Sequence, residues 1–332
     1  MKILISGYYG FGNLGDEAVL LAFKQGLKEQ AVSVLPRKNP LAILGCNVFI
    51  SGGGTLFQNA TSNRSLLYYL SLIILAKLFR KKTVVLAQGF GPLKGTFYRW
   101  LTGVVLNKVD LITLRDNDSL QAVKELGVTR PPTCVTADPV AILDASPEAG
   151  QKLLRLEGVK KSDRPLLGVV VRPCQSTDIS QRLAEAIDWC VRRHNFQPVF
   201  ILFHPVKDME GTAKVVSAME EESYVVFREV KPLEMLSLIS QFDLLIGMRL
   251  HSLIFAAINR VPMLALSYDP KVEAFMKTID QPYLNINAKN IIGALGKIIL
   301  NKEKIKTDLA QKKKELRERA GENFEQFRRH TR

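Results

Sequence analysis

Short apolar runs alternate with stretches of helical periodicity along almost the whole of this chain, and that alternation limits its fold more than any other feature. In the first half, strand-like runs fall at Ile3–Ser6, Val32–Leu35, Asn47–Ser51, Thr83–Gln88, Leu111–Leu114 and Cys134–Thr136. Helical patterns separate them at Asp16–Glu29, Ser65–Phe79, Thr96–Asn107 and Asp118–Leu126. A polar stretch from Asp144 to Arg164, closed by Pro165, reads as a linker. The alternation then restarts with strands at Leu167–Val171, Pro198–Phe203, Tyr224–Phe227, Asp243–Gly247 and Met263–Ser267. Helices at Ser180–His194, Gly211–Glu220, Pro232–Ser240, Ser252–Asn259 and Lys271–Lys277 complete the second half. Strand–helix alternation is the signature of α/β folds with parallel sheets. A chain of 332 residues favours two domains over one. The expectation is two Rossmann-like domains facing a cleft, at 1–150 and 165–300, followed by a charged helical tail at 301–332.

Composition narrows the function classes. Four cysteines (Cys46, Cys134, Cys174, Cys190) are widely spaced and form no CxxC pair, which predicts reduced thiols and neither disulfides nor a zinc site. The four histidines lack metal-ligand spacing, so no metal is expected. Met1 to Gly7 reads as a first strand and not a signal peptide. Leu66–Leu75 is strongly apolar, but Lys77, Arg80, Lys81 and Lys82 follow at once, and the run falls short of the roughly 18 residues a spanning helix needs. The expected location is cytoplasmic, with weak peripheral contact at the inner membrane face through that helix and its basic flank. A net charge of +14 points to an anionic partner. The tail carries 11 Lys/Arg against 6 Asp/Glu with alternating signs, the pattern of a charged surface helix over Lys302–Phe327. Nucleic acid is not expected as a partner, because the basic residues lack aromatic interleaving. No feature fixes an oligomeric state.

The candidate site residues fall where strands end. Gly247-Met248-Arg249-Leu250-His251-Ser252 runs from a strand into a helix, the place where open α/β sheets bind ligands. Unpaired N–H groups of a helix's first turn attract anions there. Arg249 adds a planar fork for carboxylate or phosphate, and His251 can carry a proton near neutral pH. Arg172, His204 and Lys271 also follow strands of the second half, so a cationic pocket for a small, highly charged anion is expected. In the first half, Gly7-Tyr8-Tyr9-Gly10-Phe11-Gly12-Asn13-Leu14-Gly15-Asp16-Glu17 is neither a dinucleotide fingerprint nor a Walker A loop. Its glycines permit close ligand approach, and Asn13 and Asp16 suit the hydroxyls of a sugar. Asn13 or Asp16 also reads as a helix cap. Ser51-Gly52-Gly53-Gly54-Thr55, Gln88-Gly89-Phe90-Gly91-Pro92 and Arg115, before a helix capped by Asp118, repeat the strand-end pattern.

Together GYYGFGNLGDEA, SGGGTLFQ, AQGFGPL, LRDNDS, GMRLHSLIFA and SYDPKVEAF resemble the polysaccharide pyruvyl transferase family, in family order from about Lys2 to Phe275. The branch they resemble most is the CsaB-type bacterial enzymes that pyruvylate cell-wall polymers. That resemblance implies a GT-B-like arrangement with an acceptor-side N-terminal domain and a phosphoenolpyruvate-binding C-terminal domain. It implies transfer of the pyruvyl group of phosphoenolpyruvate (PEP), a co-substrate with no further cofactor, onto two sugar hydroxyls with release of phosphate. The acceptor implied is ManNAc of a lipid-linked precursor, ketalised at O4 and O6. Family motifs carry over onto Arg249, Leu250 and His251, with His251 the general acid. They also carry over onto Asp16, Arg115 and Lys271, with Arg172 taken as a further donor-site arginine. On this reading Arg249, Leu250, Arg172, Lys271, Arg115 and His204 hold PEP. Gly12, Asn13, Gly15, Gly53 and Gln88 receive the acceptor, and Asp16 orients or deprotonates it.

Two other readings stay open on the sequence. One is a GT-B glycosyltransferase whose basic residues hold a nucleotide sugar; the E-x7-E spacing of Glu221 and Glu229 lies in a polar run where it arises easily by chance. The other is a non-catalytic anion-binding protein, resting on net charge alone.

Overall fold

The computed structural model describes residues 1–60, 62–159, 163–173 and 179–331, and within these the chain divides into two compact units. Cys174 lies outside the described residues. The first unit comprises residues 1–11, 16–142 and 316–332, and the second 12–15 and 143–315.

In the first unit the chain runs β1 (Lys2–Ser6), α1 (Leu14–Gly26), β2 (Ala31–Val34), β3 (Val48–Gly52), α2 (Asn63–Leu78), β4 (Lys82–Gln88), α3 (Thr96–Leu106), β5 (Leu111–Leu114), α4 (Asn117–Glu125) and β6 (Thr133–Val135). The strands form one parallel sheet in the order β2-β1-β3-β4-β5-β6. Chain direction across the sheet reverses between β1 and β3, so the loops after these two strands flank the switch point. β3 and β4 are buried along nearly their whole length, as strands covered on both faces must be.

The second unit contains α5 (Pro147–Leu156), β7 (Leu166–Val170), α6 (Ser180–His194), β8 (Gln197–Ile201), α7 (Pro205–Ala218), β9 (Tyr224–Val226), α8 (Pro232–Ile239), β10 (Leu244–Gly247), α9 (Leu250–Ile258), β11 (Met263–Ser267), α10 (Pro270–Thr278), β12 (Tyr283–Asn285) and α11 (Ile291–Leu300). Its parallel sheet has the order β12-β11-β10-β7-β8-β9, the doubly wound arrangement, with the switch point between β7 and β10. Arg172 follows β7 and Arg249 follows β10. The topology thus sets two arginines at the place where such sheets bind ligands.

Four details depart from the expectations. The Asp144–Arg164 stretch is not a plain linker: Ser146 caps α5 through the amide of Ala149, and α5 packs on α8. Its apolar positions, Leu153 and Leu154, were masked by surrounding charge. The second unit does not close at α10, since β12 adds an edge strand beside β11 and α11 follows it. Asp116, and not Asp118, caps α4, accepting the amide of Ser119 at 2.7 Å. The tail helix α12 (Lys302–Thr331) is not simply a solvated surface helix. Leu316, Ala320, Phe324 and Phe327 are buried on one face. Asn323, fully buried, bonds Thr113, Thr136 and the carbonyl of Ala137. Phe324 packs edge-on to Phe23. The part of the helix from Leu316 onward thereby becomes part of the first unit's core.

Candidate functional site

In the second unit, Arg249 occupies the N-cap position of α9 in extended conformation, and among the described residues no side chain caps that turn. Its guanidinium is held by Asp208, a fully buried carboxylate in the first turn of α7. Nε donates to Oδ2 at 3.2 Å, and Nη2 donates to Oδ1. The same carboxylate accepts the backbone amides of Phe203 (3.1 Å) and His204 (2.9 Å). One buried anion therefore fixes the loop after β8 and the cation after β10 together. An acidic residue in a first helical turn also meets the positive end of that helix.

His251, two residues on, is buried at the start of α9. Gly15 packs directly on its imidazole, and a Cβ at that position would overlap Nδ1 and Cγ. The amide of Leu14 donates to the carbonyl of Phe203 at 2.9 Å. These two contacts explain why residues 12–15 belong with the second unit. Leu250, buried, is the first residue of α9. His204 is buried; burial, then the charges of Lys207 and Arg249, lower its pKa below the ordinary histidine value. Among the described residues its Nδ1 has no hydrogen-bond partner.

Arg172 packs its guanidinium over the ring of Tyr268, 4.7 Å from the centroid, and donates to that phenol through Nη1. Its backbone amide meets the sulfur of Met248 at 3.4 Å. Lys271 pairs with Asp269 at 3.0 Å, and Asp269 caps α10. The loops after β7, β8, β10 and β11 are thus linked by specific contacts, and they present Arg172, His204, Arg249, His251 and Lys271.

The first unit carries a second set. Gly53 and Gly54 adopt left-handed conformations (φ +68° and +74°), which lets the backbone turn sharply after β3. Tyr9 donates to the carbonyl of Gly52 at 2.6 Å; burial and then the charge of Asp16 raise its pKa well above the usual phenol value. Asp16 lies against Gly54, its Oδ1 3.0 Å from where a Cβ would stand. Gln88 turns its amide nitrogen to the carbonyls of Gly54 and Gly89, at 3.1 Å each. Arg115 packs on Gly89 and donates to Asp116 (3.2 Å) and to the hydroxyl of Thr55 (3.1 Å). Asp16 in the first turn of α1, Gly53 after β3, Gln88 at the end of β4 and Arg115 after β5 accordingly lie at the strand ends of this unit. Gly12, Asn13 and Gly15 group instead with the second unit, where Asn13 accepts the amide of Gly15 at 3.3 Å.

Sequence reasoning missed Asp208 and Tyr9. The available signal for Asp208 was His204-Pro205-Val206-Lys207-Asp208, a proline-initiated helix with an acid in its first turn. Glu221 does not join these sets; it accepts from Arg192 at 2.7 Å on an exposed face. Among the described residues no group of three or more His, Cys, Asp or Glu is placed to hold a metal ion.

Two parallel-sheet α/β units of this kind define the GT-B-like class, and solved structures of that class match the chain. HepE of Anabaena in complex with UDP is 14% identical, with a TM-score of 0.63 over 99% of each chain. UDP-GlcNAc 2-epimerase of Neisseria meningitidis bound to UDP-GlcNAc is 12% identical, with a TM-score of 0.62 over 97% of this chain and 98% of that one. At such identities the likeness shows the fold. No curated protein matches the chain by sequence. The family model for polysaccharide pyruvyl transferase matches residues 13–270, a span holding the loops after β3, β4, β5, β7, β8, β10 and β11, and the chain belongs to that family.

Proposed function

We propose that the protein transfers the pyruvyl group of PEP onto two hydroxyls of a surface-polysaccharide sugar, building a cyclic ketal and releasing phosphate. The acceptor on this reading is a ManNAc residue of a lipid-linked wall-polymer precursor, ketalised at O4 and O6 by a CsaB-type enzyme. The observation that carries the reading is that Arg172 and Arg249 follow the two strands of the second sheet's switch point, with His204, His251 and Lys271 on the loops and helix starts linked to them. PEP carries a carboxylate and a phosphate, so it needs several cations, and an arginine fork is the natural clamp.

The steps follow from these residue types. Imidazolium at His251 gives its proton to the methylene carbon of PEP, leaving positive charge at the adjacent carbon. A sugar hydroxyl adds there and loses its proton, with Asp16 the receiving or orienting carboxylate. The C–O bond to phosphate then breaks, and the cations that hold the departing phosphate stabilise its charge. Attack by the second hydroxyl closes the ketal and releases the second proton.

A nucleotide-sugar glycosyltransferase is the competing enzyme reading, favoured by neighbours solved with UDP. A non-catalytic anion-binding protein is the third. Incubating the protein with PEP and a panel of ManNAc-, Gal- and Glc-terminated acceptors separates them. Acceptor-dependent phosphate release together with the mass gain of a pyruvyl ketal is expected. Release of UDP from UDP-sugars with PEP inert would replace the proposal, and binding without turnover of either would favour the third reading.

A further inference from the structure

The face of the first unit that carries α2 and α3 exposes apolar and aromatic side chains in organised stripes. The steps β3→β4→β5 all move the same way across the sheet, so right-handed crossovers put α2 and α3 on one face, and the two helices pack side by side. α2 buries Leu66, Tyr69, Leu70, Leu72, Ile73 and Ala76 against the sheet. Its other side exposes Leu67, Tyr68, Ile74 and Leu78, at the spacing of a helical stripe continuous with Arg64. On α3 the exposed positions are Phe97 (59%), Trp100 (60%) and Val104, spaced so that Lys108 continues the stripe. The short 3-10 turn at Pro40–Gly45, packed beside α2, adds exposed Leu41 and Leu44. An apolar surface of this extent on one face marks an interaction site.

Charge selects the partner. Between Glu29 and Asp110 the chain has ten Lys or Arg and not one Asp or Glu. This stretch includes both helices, the 3-10 turn and the loops that join them. Basic residues around exposed aromatic and aliphatic side chains are the composition of a surface that enters a headgroup region, where Trp and Tyr settle and Lys and Arg meet anionic lipid. A protein partner would require an acidic, apolar counterpart; an anionic bilayer supplies both properties at once.

We infer that the outer face of α2 and α3, with Trp100, Phe97, Leu78, Arg64 and Lys108 at its contact, docks on an anionic lipid bilayer. The inference deepens the lipid-linked acceptor of the reading above. Its test reads binding without turnover, so either idea can fail while the other stands.

The full chain is mixed with vesicles of phosphatidylcholine alone, or of phosphatidylcholine with phosphatidylglycerol, and sedimented at low and high salt. Binding to the anionic vesicles alone, weakened by salt, is expected. Neutralising both basic positions, Arg64→Gln with Lys108→Gln, lowers that affinity about 30-fold, at about fivefold per residue. A Trp189→Phe variant leaves Trp100 as the sole tryptophan, and its emission should shift to the blue on anionic vesicles. Phe97→Ala with Trp100→Ala should lose most binding while keeping the wild-type melting curve. Equal binding to neutral vesicles, an unshifted Trp100 emission, or wild-type vesicle affinity in both double variants overturns the inference. So does a dimer in solution that Trp100→Ala dissolves, since the face would then be a contact between copies.

Discussion

Asp208 grips Arg249 through both carboxylate oxygens, while one of them, Oδ2, also accepts the amides of Phe203 and His204. The cation expected to clamp PEP is thus already clamped from behind by a buried acid. Such a pairing leaves the guanidinium oriented, with its remaining N–H groups available to a second anion. It also makes the pair costly to break: removing one partner of a buried ion pair costs about 3–5 kcal/mol.

Asp208→Asn, which keeps the shape but removes the charge, is therefore expected to destabilise the protein by an amount at the lower end of that range. Adding Arg249→Met should cost much less than its effect in the wild type, because the two residues act as one unit. Chemical denaturation of the two single variants and the double variant measures the coupling. Strictly additive losses would mean that Asp208 stabilises only the two backbone amides.

The contact between Gly15 and His251 gives a prediction of a different kind. A methyl group at position 15 would overlap the imidazole, so Gly15→Ala must displace that ring or the loop that carries it. Turnover should fall markedly in Gly15→Ala, while PEP affinity, measured by calorimetry, stays near wild type. His251→Ala should lose turnover by a factor of about 10²–10⁴. Near-normal turnover in His251→Ala would reduce this histidine to a packing residue.

Much of this arrangement was legible in the sequence. Alternating apolar runs announce parallel strands because a strand covered on both faces must be apolar throughout, and glycines and charges after those runs mark the loops. α5 and the buried face of α12 were not legible, since frequent Lys, Arg and Glu hide a narrow apolar stripe such as Leu316, Ala320, Phe324 and Phe327. Asp208 was hidden for another reason. Its partner Arg249 lies 41 residues away, and no local pattern announces a pairing made by sheet topology. The grouping of residues 12–15 with the second unit rests likewise on contacts distant in sequence, those of Leu14 with Phe203 and Gly15 with His251.

Asp16 offers a separation of roles. It belongs to the first unit, lies against Gly54 and contributes to the raised pKa of Tyr9. Asp16→Asn should impair pyruvyl transfer while leaving PEP binding nearly intact, if its carboxylate serves the acceptor hydroxyl. Isothermal titration with PEP beside a transfer assay decides this. Equal loss in both would move Asp16 into the donor site or the fold.

His204 should make stability depend on pH in a definite direction. Burial foremost, then Lys207 and Arg249, lower its native pKa below the ordinary value of 6.5, so the native state resists its protonation. The unfolded chain binds that proton more readily, and the linkage slope is then positive over the interval between the two pKa values. The contribution is fully present above about pH 6.5 and is lost as pH falls from there through the lowered native value. Thermal melts from about pH 8 down to about pH 5 should show this loss in the wild type. His204→Asn, which cannot titrate, should flatten that part of the profile. An identical pH profile in the variant would assign the acid sensitivity to other groups and leave His204 without a protonation role in the loop that Asp208 holds.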